Sequence, residues 1–557
     1  MLSSVINPWT SWSALSSLLF CLHIVGCSTA LQSDQQATQY TPESELVIDR
    51  STPDGVEEFD YTGYLGPEFS IPSPLSALPL GSDQDPALEG VPSIWSVYRK
   101  NTILNLQQDN PRIKVQRDWY AKNQSYLDRV TVRAEPYLYY ILEQSIKRGI
   151  PSELALLPVV ESAFDPFAYS HGRAAGIWQF IPGTGRAYGL HQTWWYEGRR
   201  DIVAATDAAM NYLQALNKQF DGDWMLALAS YNSGGGTVRK AMRKNKAQGK
   251  PTDFWALDLP KETREYVPKL IAIAQIFKSP KRYGVTLIDY AYQPFFEEVD
   301  IGAQLDLALA AKMAGISIEE LYRLNPGFNK WATDPEGPHH LLVPVDNAQQ
   351  MRDALVKLPP EKRVEWDRYT IKRGDSILSI SKAHHITPAL LKQINQLSSN
   401  TIRAGKTLLI PQSSQPLTSY SLSQDQRLNE KLNRTISGKR KLTYRVGKGD
   451  SFWTISRRYG VNTQSLAKWN GMAPGDTLVA GRKLVIWQET KVSADKMSEQ
   501  RQRKIHYRAR SGDSYARIAN RFNISLRELK RWNQVDFKKY LQPGDMLTLY
   551  IDVANAP

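Results

Sequence analysis

Glu161-Ser162-Ala163-Phe164-Asp165-Pro166 decides how this chain is read, together with Ala168, Ser170, Gly172 and the run Gly176-Ile177-Trp178-Gln179-Phe180-Ile181-Pro182 that follows. The residues before it, Glu153 to Val160, are rich in Leu, Ala and Val, behind Ser152, a residue type that caps helix N-termini. Leu154, Leu157 and Pro158 fall at i, i+3 and i+4 of a helical stripe, with Glu161 at i+7. The spacing therefore predicts a carboxylate that faces the core or a cleft wall. Desolvation in such a place raises a carboxyl pKa, so the group can hold a proton near neutral pH and donate it. Pro166 predicts a helix end before Asp165, which makes Asp165 a turn or cap residue rather than a second carboxylate opposite Glu161.

Two further blocks lie downstream. Ala229-Ser230-Tyr231-Asn232-Ser233-Gly234-Gly235-Gly236 reads as an apolar helix, Trp224 to Ala229, ending at a glycine-rich loop whose backbone can approach a flat ligand. Glu262-Thr263-Arg264-Glu265-Tyr266-Val267 reads as a helix start, with Tyr266, Leu270 and Phe277 on one face. The glycines are not followed by Lys-Ser or Lys-Thr, so they do not read as a phosphate cradle. Trp178, Trp194 and Trp195 read equally as sugar-stacking rings and as core.

The three blocks, in this order, resemble the catalytic segment of the soluble lytic transglycosylase fold, a relative of goose-type lysozyme that cuts bacterial cell-wall glycan. The resemblance spans roughly residues 140–280. It implies that Glu161 is catalytic and that Ser170, Gln179, Tyr231, Asn232, Glu262 and Tyr266 bind substrate, with Tyr266 near the catalytic carboxyl. Ile177-Trp178 and Ser233-Gly234-Gly235 depart from Leu-Met and Ala-Gly-Pro in many relatives, which bears on subsite preference.

The C-terminal third repeats itself. Tyr369, Tyr444 and Tyr507 lead into Gly374-Asp375-Ser376, Gly449-Asp450-Ser451 and Gly512-Asp513-Ser514. An Asn follows each Asp by 20 residues (Asn395, Asn470, Asn533), and Gly405, Gly481 or Gly544 comes 10 or 11 residues later, before a short apolar strand. Fixed internal spacing with variable intervals between copies marks separate small modules. Gly frees the turn and Asp or Ser caps the following helix, which predicts β-α-α-β units over 369–411, 444–487 and 507–551, with linkers at 412–443 and 488–506. These units resemble the LysM domain, which implies binding of N-acetylglucosamine-containing glycan. Residues 291–350 read as a degenerate LysM-like copy or a packing extension: Ile316 to Pro326 matches the second helix and its Asn, and Leu341-Leu342-Val343-Pro344 the closing strand, but the Gly-Asp-Ser turn is missing.

Composition bounds the rest. A chain of 557 residues with 42% hydrophobic and 22% charged residues is several globular modules. The fold class expected is a multidomain chain: an all-α lysozyme-like catalytic domain at 93–290, then small β-α-α-β LysM modules. The net charge of +13 belongs to these folded parts, because residues 28–92 are acidic, rich in Ser and Pro, and carry Arg50 alone as a basic residue. That segment reads as a disordered linker. Solvated surface Lys and Arg account for the basic excess, and a secretory N-terminus excludes nucleic acid as partner. Cys21 and Cys27 are the only cysteines, and His339-His340 and His384-His385 lack ligand spacing, so no metal site and no cofactor are expected. The apolar run Ala14 to Gly26 fits a signal h-region and is too short for a comfortable membrane span. Ile24-Val25-Gly26-Cys27 is similar to a lipoprotein box, which implies a signal peptide over 1–27, lipid on Cys27, and an outer-membrane lipoprotein facing the periplasm of a Gram-negative bacterium. The missing basic n-region departs from that pattern.

The expected partners are peptidoglycan strands and the membrane. The reaction implied is non-hydrolytic cleavage of the MurNAc-β-1,4-GlcNAc bond to 1,6-anhydroMurNAc ends. Rival readings are a hydrolytic muramidase and a non-catalytic peptidoglycan-binding scaffold.

Overall fold

The computed structural model describes residues 90–384, 386–489, 502–510, 513–522, 524, 526–533 and 541–552. Cys27, the apolar leader, residues 28–89, His385 and Gly512 lie outside the described residues.

A helical module comes first, built around the helix Lys261–Lys278. Its apolar residues recur at helical spacing on nearly every side, so Tyr266, Val267, Leu270, Ile271, Ala274 and Phe277 are all buried. A helix apolar all round must be wrapped by others. Here Pro111–Lys122, Trp224–Ser233 and the segment Ser152–Ser162 pack against it. Residues 152–162 are not one helix: Ser152–Leu156 is a 3₁₀ turn and only Leu157–Ser162 is α-helical. Ser152 does not cap it, because its hydroxyl donates to the Tyr98 carbonyl at 3.1 Å. Burial of the Ser152 and Glu153 side chains took precedence over capping; the Glu153 carboxylate accepts the Ile103 and Leu104 amides at 3.2 and 2.9 Å.

The Gly234-Gly235-Gly236 stretch is also not a loop. The helix Trp224–Ser233 stops at Gly234, with φ at 82°, and a second helix, Gly235–Ala247, starts at the next residue. One left-handed residue is enough to turn the chain, and glycine bears that conformation without strain.

Among the described residues, four two-stranded antiparallel sheets follow, each spanned by two helices. In the first, Phe296–Asp300 pairs with His340–Pro344 around the helices Leu307–Ala314 and Ile318–Leu324. This β-α-α-β unit shares a side-chain device with the other three. Asn325, Asn395, Asn470 and Asn533 each donate from Nδ2 to the carbonyl four residues back and to a carbonyl of the closing strand, and each accepts through Oδ1 the amide of that same strand residue. All four bonds to the strand carbonyl are 2.8 Å. The Asn that closes the 20-residue interval in the three repeats therefore staples the second helix to the last strand, and Asn325 does the same in a unit without the Gly-Asp-Ser turn.

The unit containing Asn325 is a packing extension too. Phe296, Leu324 and Leu342 join the core of the helical module. Val299, Leu321, Tyr322, Leu341 and Val343 join a second core with Ile377, Ile380, Leu391 and Ile410 of the next unit. The interval 412–443 is folded: Tyr420 is buried, its hydroxyl donates to Asp306 Oδ2 at 2.7 Å, and the helix Gln424–Asn433 lies beyond it. The last two units have small cores of their own, around Phe452, Ile455 and Leu466 and around Ile518, Leu529 and Leu549.

Candidate active site

Glu161 is the penultimate residue of the helix Leu157–Ser162. The helix cannot continue because Ala163 and Phe164 both take left-handed conformations, with φ at 50° and 55°. For non-glycine residues this costs on the order of 1 kcal/mol each, and the buried Phe164 side chain holds the turn in place. Asp165 is thereby carried off the helical stripe, and its Oδ1 accepts the Phe167 amide at 2.9 Å as a turn residue. Glu161 stays half-buried.

The Tyr266 hydroxyl donates to Glu161 Oε1 at 2.5 Å. The two residues are 105 positions apart and meet because the Lys261–Lys278 helix crosses behind the Glu161 helix. Burial raises the Tyr266 pKa well above its ordinary value, and the adjacent Glu161 charge raises it further, so the phenol remains a donor at any physiological pH. Tyr231 is raised by the same two causes, burial first and the Glu161 charge second. Its hydroxyl donates to the Trp178 carbonyl at 2.8 Å, which ties the end of the Trp224–Ser233 helix to the Gln179 segment. Glu161, Tyr231 and Tyr266 thus form one group.

Asn232 belongs to an adjoining group. Its Oδ1 accepts the Thr263 hydroxyl at 2.7 Å, and its Nδ2 reaches Glu262 Oε1 at 3.4 Å. Glu262 lies in the first turn of its helix, where the helix dipole favours a carboxylate. Ser170 and Gln179 are engaged within their own loops. The Ser170 hydroxyl accepts the Ala174 amide at 3.0 Å, and Gln179 Nε2 donates to the Gly176 carbonyl at 2.7 Å, with Gln179 itself at φ 49°. Trp178 is core, fully buried with its indole N–H on Thr206 at 3.0 Å. Trp195 is buried as well, so neither of these two is free to stack on sugar; Trp194 is half-buried, with the Lys330 ammonium 4.7 Å from its ring centre.

Residues not singled out from sequence fix this geometry. The Ser162 hydroxyl donates to the Ile177 carbonyl at 3.0 Å and holds the Gly176–Phe180 segment against the Glu161 helix. Arg199, buried and paired with Glu197 at 2.7 Å, donates to the Arg173 and Phe180 carbonyls at 2.6 and 3.0 Å. Gly176 allows the close approach this needs, because a Cβ there would fall 2.1 Å from the Arg199 carbonyl oxygen. Ser162 and Thr263 sit beside flagged residues and were within reach of the sequence. Arg199 was not, since its partners are brought to it only by the fold. Among the described residues, no cluster of His, Cys, Asp and Glu suits a metal ion, and no helix is long and apolar enough to cross a membrane.

Comparison with known proteins agrees with this architecture. The Transglycosylase SLT domain matches residues 139–254, ending before Glu262 and Tyr266. The lytic transglycosylase MltD LysM-like domain matches 295–359, and the LysM domain matches 369–411, 444–487 and 507–549. The membrane-bound lytic murein transglycosylase D of Escherichia coli K12 is 42% identical over 388 residues, which cover 66% of this chain and 81% of that protein. An Enterococcus faecalis autolysin is 27% identical over 30% of this chain and 22% of its own. A solved 70 kDa soluble lytic transglycosylase from E. coli matches 26% of this chain and 24% of its own at 23% identity, with a TM-score of 0.21, too local to bear on the fold. With its catalytic-domain match, its LysM-like unit and its LysM repeats in this order, the chain belongs to the family of membrane-bound lytic murein transglycosylase D.

Proposed function

We propose that Glu161 is the acid and base of this lytic transglycosylase, and that the reaction leaves a 1,6-anhydromuramyl end. The observation that carries the reading is the Tyr266 hydroxyl on Glu161 Oε1 at 2.5 Å, in a half-buried site where Asp165 is committed to a turn. With Asp165 held in a turn and Glu262 engaged with Asn232 at its helix start, Glu161 is left as the acting carboxyl, and the substrate supplies the second function itself. Glu161 gives its proton to the glycosidic oxygen as the C1–O bond breaks, and the 2-acetamido oxygen closes on C1 to form an oxazolinium. The resulting carboxylate takes the proton of the muramyl C6 hydroxyl, whose oxygen attacks C1 and reopens the ring. Atoms balance without water, and one group serves in both protonation states. Tyr266 would hold the carboxylate in position through the second half. Tyr231, Asn232, Glu262, Ser170 and Gln179 would line the sugar path, the last two through loops they close rather than through free side chains.

The LysM modules would hold murein glycan near the cleft, where tethering several weak binders raises the catalyst's effective concentration. Lipid on Cys27 would keep the enzyme on the outer membrane; Cys27→Ala should then move it to the soluble fraction.

Glu161→Gln tests the chemistry. It should abolish fragment release from purified sacculi while wall binding persists. Mass spectrometry of wild-type products should show fragments lighter by one water than muramidase products; fragments carrying that water would make the enzyme a hydrolase.

A further inference from the structure

The helix Gln424–Asn433 between the first and second LysM repeats lies against the segment that joins the Glu161 helix to the Ser170 loop. Its Arg427 guanidinium stacks on Phe167 at 4.1 Å from the ring centre. Arg427 Nη1 is buried and makes no hydrogen bond. Arg200 is 8% exposed, and its Nε is likewise buried and unbonded; among the described residues its side chain makes one hydrogen bond, a long one of 3.5 Å from Nη1 to Asn329 Oδ1. Lys431 lies one turn beyond Arg427 and rests its chain on Gly471 of the second repeat. Burial is the first cause of a lowered pKa in each; among neighbouring cations, Arg200 then lowers Arg427, Arg427 and Arg200 lower Lys431, and Arg199 lowers Arg200.

The nearby carboxylates, Glu197 for Arg200, Asp425 for Arg427 and Glu430 for Lys431, act on them through charge, but among the described residues none forms an ion pair with any of the three. Glu197 is paired with Arg199 at 2.7 Å, and Asp425 with Lys330 at 2.8 Å. Asp165 is the one carboxylate whose charge acts on all three, and none of the three forms an ion pair with it. Buried N–H donors without acceptors are costly and rare, and a surplus of converging positive charge calls for an anion.

We propose that Arg200, Arg427 and Lys431 bind a carboxylate of the peptide carried by the muramyl sugar of a murein strand in the cleft. The proposal rests on the lytic transglycosylase reading. In a peptide-bearing strand the lactyl carboxyl of each muramyl sugar is tied up as an amide, so the anions such a strand brings to this place are those of its peptides. Arg427 offers a planar fork for a carboxylate, and the exposed Lys431 adds a point charge one turn along the helix. The linker helix then does more than join two repeats: it supplies half of a substrate subsite.

The test compares peptide-bearing glycan strands with the same strands after their peptide carboxyls have been converted to neutral amides, using the full chain. Arg427→Met, which keeps the stacking volume on Phe167, combined with Lys431→Met should raise KM on peptide-bearing strands about tenfold or more while kcat holds. On the amidated strands the same variant should change by less than about twofold. Arg427→Lys should recover part of the loss, and matching near-ultraviolet circular dichroism should show the fold intact. Equal effects on both substrates, or none on either, would overturn the proposal. If the wild type cut neither substrate, the activity reading would fail by itself. Calorimetric binding of a soluble disaccharide-tetrapeptide to the Glu161→Gln protein would still decide: tighter binding than for the same molecule with its peptide carboxyls amidated, lost with Arg427→Met, supports the subsite, and equal binding refutes it.

Discussion

Tyr266 is the residue on which the proposed chemistry is most exposed to test. Its hydroxyl bonds a carboxylate, and such charge-assisted bonds contribute about 1.5–3 kcal/mol. Tyr266→Phe removes the donor and keeps the buried ring. Release of soluble fragments from sacculi should fall about ten- to a hundredfold in kcat with KM little changed, because the bond holds the acid rather than the sugar. Gly176 gives a prediction about stability instead. An alanine there meets the Arg199 carbonyl at 2.1 Å and must also adopt φ 78°. Gly176→Ala should destabilise the catalytic module by about 2–4 kcal/mol, read as a lower midpoint in urea, with activity lost alongside as the Arg199 clamp is displaced.

At the scale of the element, the LysM units show how a sequence repeat becomes a mechanical one. Asn470 is buried and bonds the Leu466 carbonyl and both polar groups of Val485 at 2.7–2.8 Å. Asn470→Ala strands a buried amide and two carbonyls, so the second repeat should lose about 2–4 kcal/mol in thermal unfolding. The turn at the other end carries a pH dependence. The Asp450 carboxyl is held below the ordinary aspartate range by the Tyr444 hydroxyl and the Gly447 amide. Asp375 and Asp513 sit in equivalent turns and are lowered in the same way, by a backbone amide first and then by Tyr369 or Tyr507. A folded pKa below the unfolded one means stability that is complete above about pH 4 and lost as pH falls through the folded value. Tryptophan fluorescence should report loosening of these modules under acid, and Asp450→Asn should flatten that dependence for the second repeat.

Across the whole molecule, shared and separate cores set which parts unfold together. The LysM-like unit and the first repeat share one core, closed by Tyr420 on Asp306, whose other oxygen caps the helix Leu307–Ala314. Tyr420→Ala should therefore weaken both units at once, by about 3–5 kcal/mol, and calorimetry should show them melting in one step. The second and third repeats have small cores of their own and should melt independently. The second repeat also touches the catalytic module through Arg173 and Asp476 at 2.6 Å, with Arg173 exposed enough for solvent to screen it. A pair of that kind contributes about 1 kcal/mol or less.

What the sequence determined by itself was local or periodic. The order of catalytic and LysM modules, the Glu161 helix with its end before Asp165, the Gly-Asp turns and the 20-residue Asn interval are all written in spacing, because turns, caps and helical stripes depend on residues a few positions apart. It also left both readings of residues 291–350 open, and the unit turned out to serve both as a LysM-like fold and as packing between cores. The tertiary structure alone decided that Gly235 and Gly236 begin a helix and that Ser152 bonds Tyr98 rather than capping. It alone placed Trp178 in the core and Arg199 as the clamp of the Ser170–Phe180 loop. It alone brought Arg427 of a linker helix to Phe167, beside Arg200. Each of these depends on what lies across a packed interface, and burial, which fixes whether a ring stacks on sugar or fills a core, is a property of neighbours distant in the chain.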